Sequence, residues 1–329
     1  MSNESILTVS NLRVRFPGFA SEVHALNGCS FDLKQGELLG LVGESGCGKS
    51  LTSIACLGLL PENALVSGSV TYRGQELLGL DNSSMSAIRG TDIAMVFQNP
   101  MTALNPFFTV GQQMIDVIRC HQTLSKVAAL QLAKETLEKV HLPDAQQALR
   151  KYPHQFSGGQ LQRIMIAMAL SCQPKVLIAD EPTTALDVTI QAQIILLLRE
   201  LAEKEGLSVI FITHDLSVVA SMCDRVAVMY AGKVVELADI ESLFDTPLHP
   251  YTQGLLNSVP TVGEGGNDFF AIKGAVPDMR KLPKGCAFAE RCEQAKPECF
   301  DKRPSVQDIQ GHHVSCFQVQ QKELTYGCA

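Results

Sequence analysis

Apolar and polar positions alternate from the start of the chain. Leu7 and Val9, then Leu12, Val14 and Phe16, follow a period of two, which predicts antiparallel strands. Residues 38–42 are apolar and run into a glycine-rich loop, and a helix-compatible stretch follows Lys49. Short apolar runs with polar breaks on both sides recur at 176–179 and 209–212 and read as buried parallel strands. Residues 188–204 between them read as a helix. This alternation predicts an α/β core built on a parallel sheet. Residues 99–172 differ: stretches such as 125–140 have helical spacing and few strand formers, so a mostly helical insertion is expected. Beyond His249 the periodicity fades. The expected division is 1–250 and 251–329, the second part rich in Pro, Gly and Cys and too loop-rich to build much core unaided.

The chain has 329 residues, 46% of them hydrophobic, enough for a sizeable core in one large domain or two smaller ones. Its net charge of −7 disfavours polyanions, so no nucleic-acid partner is expected. The start, MSNESILTVS, lacks a basic segment leading into an apolar run, so no secretory signal is expected. Runs such as 194–198 and 209–212 are too short to cross a bilayer. The expectation is a soluble or peripheral chain, with any membrane pore supplied by another polypeptide. Eleven cysteines are present. Cys29, Cys47, Cys56, Cys120, Cys172, Cys223 and Cys328 stand among apolar neighbours and read as small buried hydrophobes, with Cys47 also a loop filler. The other four are grouped.

Candidate chemistry begins at GESGCGKS, Gly43 to Ser50, which fits G-x-x-x-x-G-K-[ST]. Gly43, Gly46 and Gly48 let the backbone approach an anion without an obstructing Cβ. The loop amides and the next helix start then face phosphate oxygens. The expected nucleotide contacts are Gly43, Glu44, Ser45, Gly46, Cys47, Gly48, Lys49, Ser50 and Leu51. Lys49 meets the β and γ phosphates, and the Ser50 hydroxyl is a Mg²⁺ ligand. VLIADEP ends an apolar strand in two carboxylates: Asp180 as the metal residue and Glu181, on the other face of the strand, as general base for water. Ser157 is a good N-cap, and Leu161, Ile164, Met165 and Met168 repeat behind it at helical spacing. Ser157, Gly158, Gly159 and Gln160 thus present an anion-binding helix end.

The order of these motifs, with VFQNP before FSGGQ and ITHD after VLIADEP, resembles the ATP-binding cassette of ABC transporters. That implies a P-loop ABC ATPase core with a parallel or mixed sheet, an antiparallel β subdomain and a helical subdomain, followed by a loop-rich C-terminal extension. By the same resemblance Phe16 stacks on adenine, Gln98 touches Mg²⁺ and the attacking water, and His214 contacts the γ phosphate. Ser157 to Gln160 close on the ATP of a second cassette, with Asp187 at that interface. Phe156 stands where Leu is commoner. Glu181, which some members of the family lose, is present.

QNPMTALNP, KYPHQFSGGQLQR, ADEPTTALDVTIQAQI and TPLHPYTQGLL narrow the resemblance to ATPases of oligopeptide, dipeptide and nickel importers. The HPYT segment with the cysteine-bearing tail is its most specific part. It implies ATP and Mg²⁺, a homologous second ATPase subunit, two permeases, a solute-binding protein outside, and a peripheral place on the cytoplasmic face of the membrane. Nickel or another small solute is the alternative cargo. A soluble ABC ATPase of translation or DNA repair is a remote alternative, since those carry two cassettes or a long coiled coil.

Cys286, Cys292, Cys299 and Cys316 are separated by five, six and sixteen residues, which is not a zinc-finger spacing. A cytosolic address argues against disulfides. The tails of the resembling family point to a 4Fe–4S cluster on these four thiols, acting as a staple for a region poor in core. Structural zinc and unligated cysteines are the other readings. His312 and His313 read as surface residues.

Overall fold

The computed structural model describes residues 4–18, 21–184, 186–258 and 272–319. The chain starts with β1 (Ser5–Phe16), β2 (Val23–Lys34), β3 (Leu38–Val42), α1 (Lys49–Cys56), β4 (Leu65–Tyr72) and β5 (Gln75–Glu76). Then come α2 (Asn82–Ile88), β6 (Ile93–Val96), α3 (Pro100–Ala103), α4 (Val110–His121), α5 (Lys126–Lys139), α6 (Ala145–Ala148), α7 (Gly158–Leu170), β7 (Val176–Asp180), α8 (Val188–Glu205) and β8 (Ser208–Thr213). The rest is α9 (Leu216–Met222), β9 (Arg225–Tyr230), β10 (Lys233–Asp239), α10 (Ile240–Asp245), α11 (Pro250–Asn257), α12 (Pro297–Asp301), β11 (Gln307–Ile309) and β12 (His312–Val314).

Two compact units result. One holds residues 34–38 and 79–212. In it β6, β7 and β8 pair in parallel, with Ile178 opposite both Met95 and Ile210. Every residue of β7 and β8 is buried, as expected of strands covered on both faces. Its helices carry their own start signals. The Thr109 and Gln112 side chains form a reciprocal capping box at α4, and the Ser125 hydroxyl accepts from Ala128 N at α5. Ala129, Ala133 and Leu137, four apart, bury one stripe of α5, which packs on α4 and α7.

The other unit holds 5–33, 39–78 and the described part of 213–329. One sheet runs in the order β2-β1-β4-β5. The alternation in β1 changes phase between Val9 and Leu12 because the register with β4 slips between Ser10 and Arg13, and Asn11 takes a φ of 47° there. Opposite this bulge a Cβ at Gly68 would lie 2.6 Å from the Asn11 carbonyl oxygen, so glycine is required. In the second sheet β3 pairs with β9 in parallel, and β10 pairs antiparallel with β9. The tail then contributes strands: β12 pairs antiparallel with β10, and β11 with β12. Val314, Cys316 and Val319 form a small core there with Leu248 and Ile309. The described tail is loop-rich, as expected, but it also carries β11 and β12, three-residue strands too short to show a period.

Three side-chain expectations need correction. His312 is buried, not at the surface, because its ring pairs with the Glu236 carboxylate at 2.7 Å. Cys120 is exposed and Cys172 half-buried; Cys120 lies two residues past buried Ile118, on the other face of α4. Burial pushes the thiols of Cys29 and Cys56 up to about 12, which leaves them inert. Cys328 lies outside the described residues. Among the described residues no helix is long and apolar enough to cross a membrane.

Candidate functional site

The glycine loop is built where β3 ends. Gly43 has a φ of 154°, and a Cβ there would meet the Met229 carbonyl oxygen at 2.2 Å, so no other residue fits. Lys49, the first residue of α1, is buried, and its ammonium donates back to the carbonyls of Gly43 (2.7 Å) and Glu44 (3.1 Å). Ser45, Gly46 and Ser50 are exposed, and Leu51 is half-buried. The Cys47 thiol is raised by burial, which the neighbouring Lys49 opposes in part. It is therefore a neutral filler, as expected. Phe16 is the half-buried last residue of β1, and exposed His214 follows β8.

Glu44, in the same loop, is gripped by residues for which no role was expected. Its backbone N–H donates to the Tyr251 hydroxyl at 2.9 Å. Its carboxylate takes both guanidinium nitrogens of Arg291, at 2.6 and 2.9 Å, a bidentate pair. Arg291 is raised by these bonds from Glu44 and also donates to the Tyr230 hydroxyl at 3.3 Å. Tyr230, Tyr251 and Phe288 pack ring on ring behind it, with centroids 4.6 to 5.4 Å apart. The HPY triplet now has a physical account. His249 Nδ1 accepts from Tyr251 N at 3.0 Å as the N-cap of α11, Pro250 fills the first helical position, and Tyr251 reaches the nucleotide loop. The triplet itself was the signal; its role was not legible.

In the 79–212 unit, β7 ends in buried Asp180. Glu181 then leaves the strand in a left-handed conformation, φ 44°. Its direction is therefore set by this turn, not by strand alternation as expected. For a residue with a Cβ the turn costs about 1–3 kcal/mol, a strain typical of functional positions. The backbone N–H of Glu181 is tied to Ile212 O at 3.0 Å. One carboxylate oxygen accepts from Gln98 Nε2 and from Thr184 Oγ1, each at 2.8 Å. Thus Gln98 and Glu181 meet, as a shared water would require.

The serine–glycine segment is a reciprocal cap. Gln160 N donates to Ser157 Oγ, and Ser157 N donates to Gln160 Oε1. Ser157 and Gly158 are exposed, while Gly159 is buried; a Cβ there would lie 2.6 Å from Ile190 of α8. Asp187 caps α8 through Ile190 N at 3.0 Å and is exposed. Hydroxyl, amide and carboxylate oxygens from Ser50, Gln98 and Asp180 are the hard donors Mg²⁺ takes, so the donor chemistry fits that ion.

Cys286, Cys292, Cys299 and Cys316 form one neighbourhood. Cys286 N donates to Cys299 O at 2.7 Å, and none of the four is in a disulfide. Burial raises Cys286, Cys316 and Cys292, the last to about 11, and the neighbouring thiols add to it. Among the described residues no three or more His, Cys, Asp or Glu are set to hold a metal ion. This arrangement of the four thiols bears equally on the zinc and the iron–sulfur readings and favours neither.

A nucleotide loop, a strand-end carboxylate pair and an exposed capped helix start are the parts of one class of motor, the ATP-hydrolysing cassette of ABC transporters. Residues 26–184 match the ABC transporter family model, and residues 235–299 match the model for the oligopeptide/dipeptide transporter C-terminal region. The oligopeptide transport ATP-binding protein OppD of Escherichia coli is 46% identical over 95% of this chain and 93% of its own length. The dipeptide transport ATP-binding protein DppD of Bacillus subtilis is 49% identical over 95% of each. A bacterial ABC transporter cassette solved as a dimer superposes with TM-score 0.63 at 29% identity, over 71% of this chain and 98% of that one. The cassette cbiO1 of Clostridium perfringens, part of the cbiONQ transporter complex, gives 0.64 at 28% identity over 74% and 92%. The chain belongs to the family of ABC transporter ATP-binding proteins that carry the oligopeptide/dipeptide transporter C-terminal region, and it is an ATPase.

Proposed function

We propose that the chain energises import of dipeptides or oligopeptides across the cytoplasmic membrane, from the cytoplasmic face, paired with a homologous second ATPase subunit on two permeases fed by a solute-binding protein. The observation that carries this is the peptide-transporter tail: its HPY residues and Arg291 hold the nucleotide loop at Glu44. The names of the relatives, oligopeptide and dipeptide transport proteins, point the same way. Lys49 and the amides of Gly43 to Ser50 hold the phosphates, and Phe16 stacks on the base. Ser50, Gln98 and Asp180 would hold Mg²⁺, which supplies neutralising charge on the phosphate oxygens. Glu181, oriented by Gln98, takes the proton of the attacking water, and His214 steadies the γ phosphate. Ser157, Gly158, Gly159 and Gln160, with Asp187, serve the ATP of the other subunit; the exposed cap and the dimeric relative support this.

In the complex reconstituted in liposomes with permeases and binding protein, dipeptide is expected to raise ATP turnover several-fold and Ni²⁺ to leave it unchanged. The reverse pattern would assign a nickel importer.

We also propose that Cys286, Cys292, Cys299 and Cys316 hold a 4Fe–4S cluster as a structural staple. Four free thiols in one short tail, near enough for Cys286 and Cys292 each to be raised by Cys299 and Cys316, support it. Chain purified without air is expected to contain about four irons per polypeptide and a broad visible absorbance. Iron at background level would remove the cluster.

A further inference from the structure

Between the tail and the strands β1, β2 and β10 lies a cavity of about 360 Å³, within the ~300–1,000 Å³ range of small-molecule sites. Three cations line it: Arg13 from β1, Lys233 from β10, and Arg303 from the segment after α12. Among the described residues none of the three has a carboxylate within ion-pair distance. Their bonds are to neutral oxygens: Arg13 to Asn11 Oδ1 at 3.2 Å, Lys233 to Pro304 O at 3.4 Å and Arg303 to Pro283 O at 3.5 Å. Three unmatched positive charges around one hollow are unexpected in a chain of net charge −7. Their mutual repulsion favours a bound anion.

A second observation is independent of charge. Ser315 lines the same cavity, is 3% exposed, and its hydroxyl has no hydrogen-bond partner. Buried polar groups are nearly always satisfied, so an orphan hydroxyl on a residue of the cavity wall is a group left for a ligand atom to meet. The rest of the wall is mostly apolar, with Val235, Leu282, Phe288 and Val306. A bare inorganic anion would leave that wall unused. Cys286 is the one cluster cysteine at the wall, so the cavity is not the space among the four thiols.

We propose that this cavity is a binding site for a small organic carboxylate with an apolar body, its carboxylate held by Lys233, Arg13 and Arg303 and met by the Ser315 hydroxyl. The inference does not depend on which solute the transporter imports.

The test is titration calorimetry on the full-length chain with four probes: the dipeptide Leu-Phe, its C-terminal amide, octanoate and inorganic phosphate. Leu-Phe and octanoate are expected to bind, and the amide at least about tenfold more weakly, as loss of charge-assisted bonds requires. Lys233→Met and Arg303→Met should each weaken both carboxylates by about tenfold without lowering the melting temperature. Ser315→Ala removes a hydroxyl with no partner in the fold, so it should weaken binding a few-fold and leave stability unchanged. Binding that Lys233→Met and Ser315→Ala both leave intact would overturn the site. So would absence of binding by both carboxylates, or phosphate binding as tightly as either.

Discussion

Glu181→Gln is expected to lower the rate of ATP hydrolysis by the assembled complex about 10²–10³-fold while ATP still binds. The substitution is close to isosteric. Gln98 Nε2 and Thr184 Oγ1 both donate to one Glu181 oxygen at 2.8 Å, and a glutamine oxygen can accept the same two bonds. Position is therefore kept, and the lost property is basicity. The left-handed turn at Glu181 and its tie to Ile212 O hold the side chain by the backbone, so the variant inherits the same aim. Two readouts separate this from misfolding. Phosphate release should collapse, and fluorescent ATP analogue should bind within a few-fold of wild type. Because each ATP lies between the two subunits in the proposed arrangement, unhydrolysed ATP should also trap the variant as a stable ATPase dimer on gel filtration. A variant turning over ATP at the wild-type rate would remove Glu181 as the base.

The strands and the phosphate loop were legible because their signals are local. Five buried residues in β3 and five in β7 are written as apolar runs, and Gly43 must be glycine where the backbone passes Met229 O. The serine cap of α7 was legible for the same reason, since its two partners are three residues apart. What escaped was set by distance along the chain. Arg291 and Glu44 are 247 positions apart, and His312 and Glu236 are 76 apart. Nothing in the periodicity around either residue announces its partner. The left-handed turn at Glu181 escaped for another reason. Glutamate is not a residue that favours positive φ, so the strain there is imposed by its surroundings rather than encoded by its own preference.

Acid is expected to loosen the tail first, through His249, in a window that opens well above the carboxylate range. The ring is 1% exposed, and burial pulls its pKa from 6.5 down to about 4; neighbouring Glu236 opposes the fall and Lys233 adds to it. The geometry gives the reason chemically: Nδ1 is the acceptor for Tyr251 N, so a proton at Nδ1 would face an N–H and remove the cap of α11. The folded chain thus favours the neutral ring. For a histidine with a depressed folded pKa, the contribution is complete above about 6.5 and is lost as pH falls from there toward about 4. A fall of that size corresponds to about 3 kcal/mol. Glu236 acts in the same direction but later. Burial alone would raise it, yet bonds from His312 and from the N–H groups of Leu248 and His249 hold it below its ordinary value. Its contribution is present above about 4.5 and fades only below it. Thermal unfolding should therefore show a falling melting temperature between pH 6.5 and 4.5 in the wild type. His249→Asn keeps an acceptor suited to an N-cap and cannot titrate, so its melting temperature should change far less across that interval. A wild-type curve as flat as that of His249→Asn would show that the buried ring does not carry the acid response.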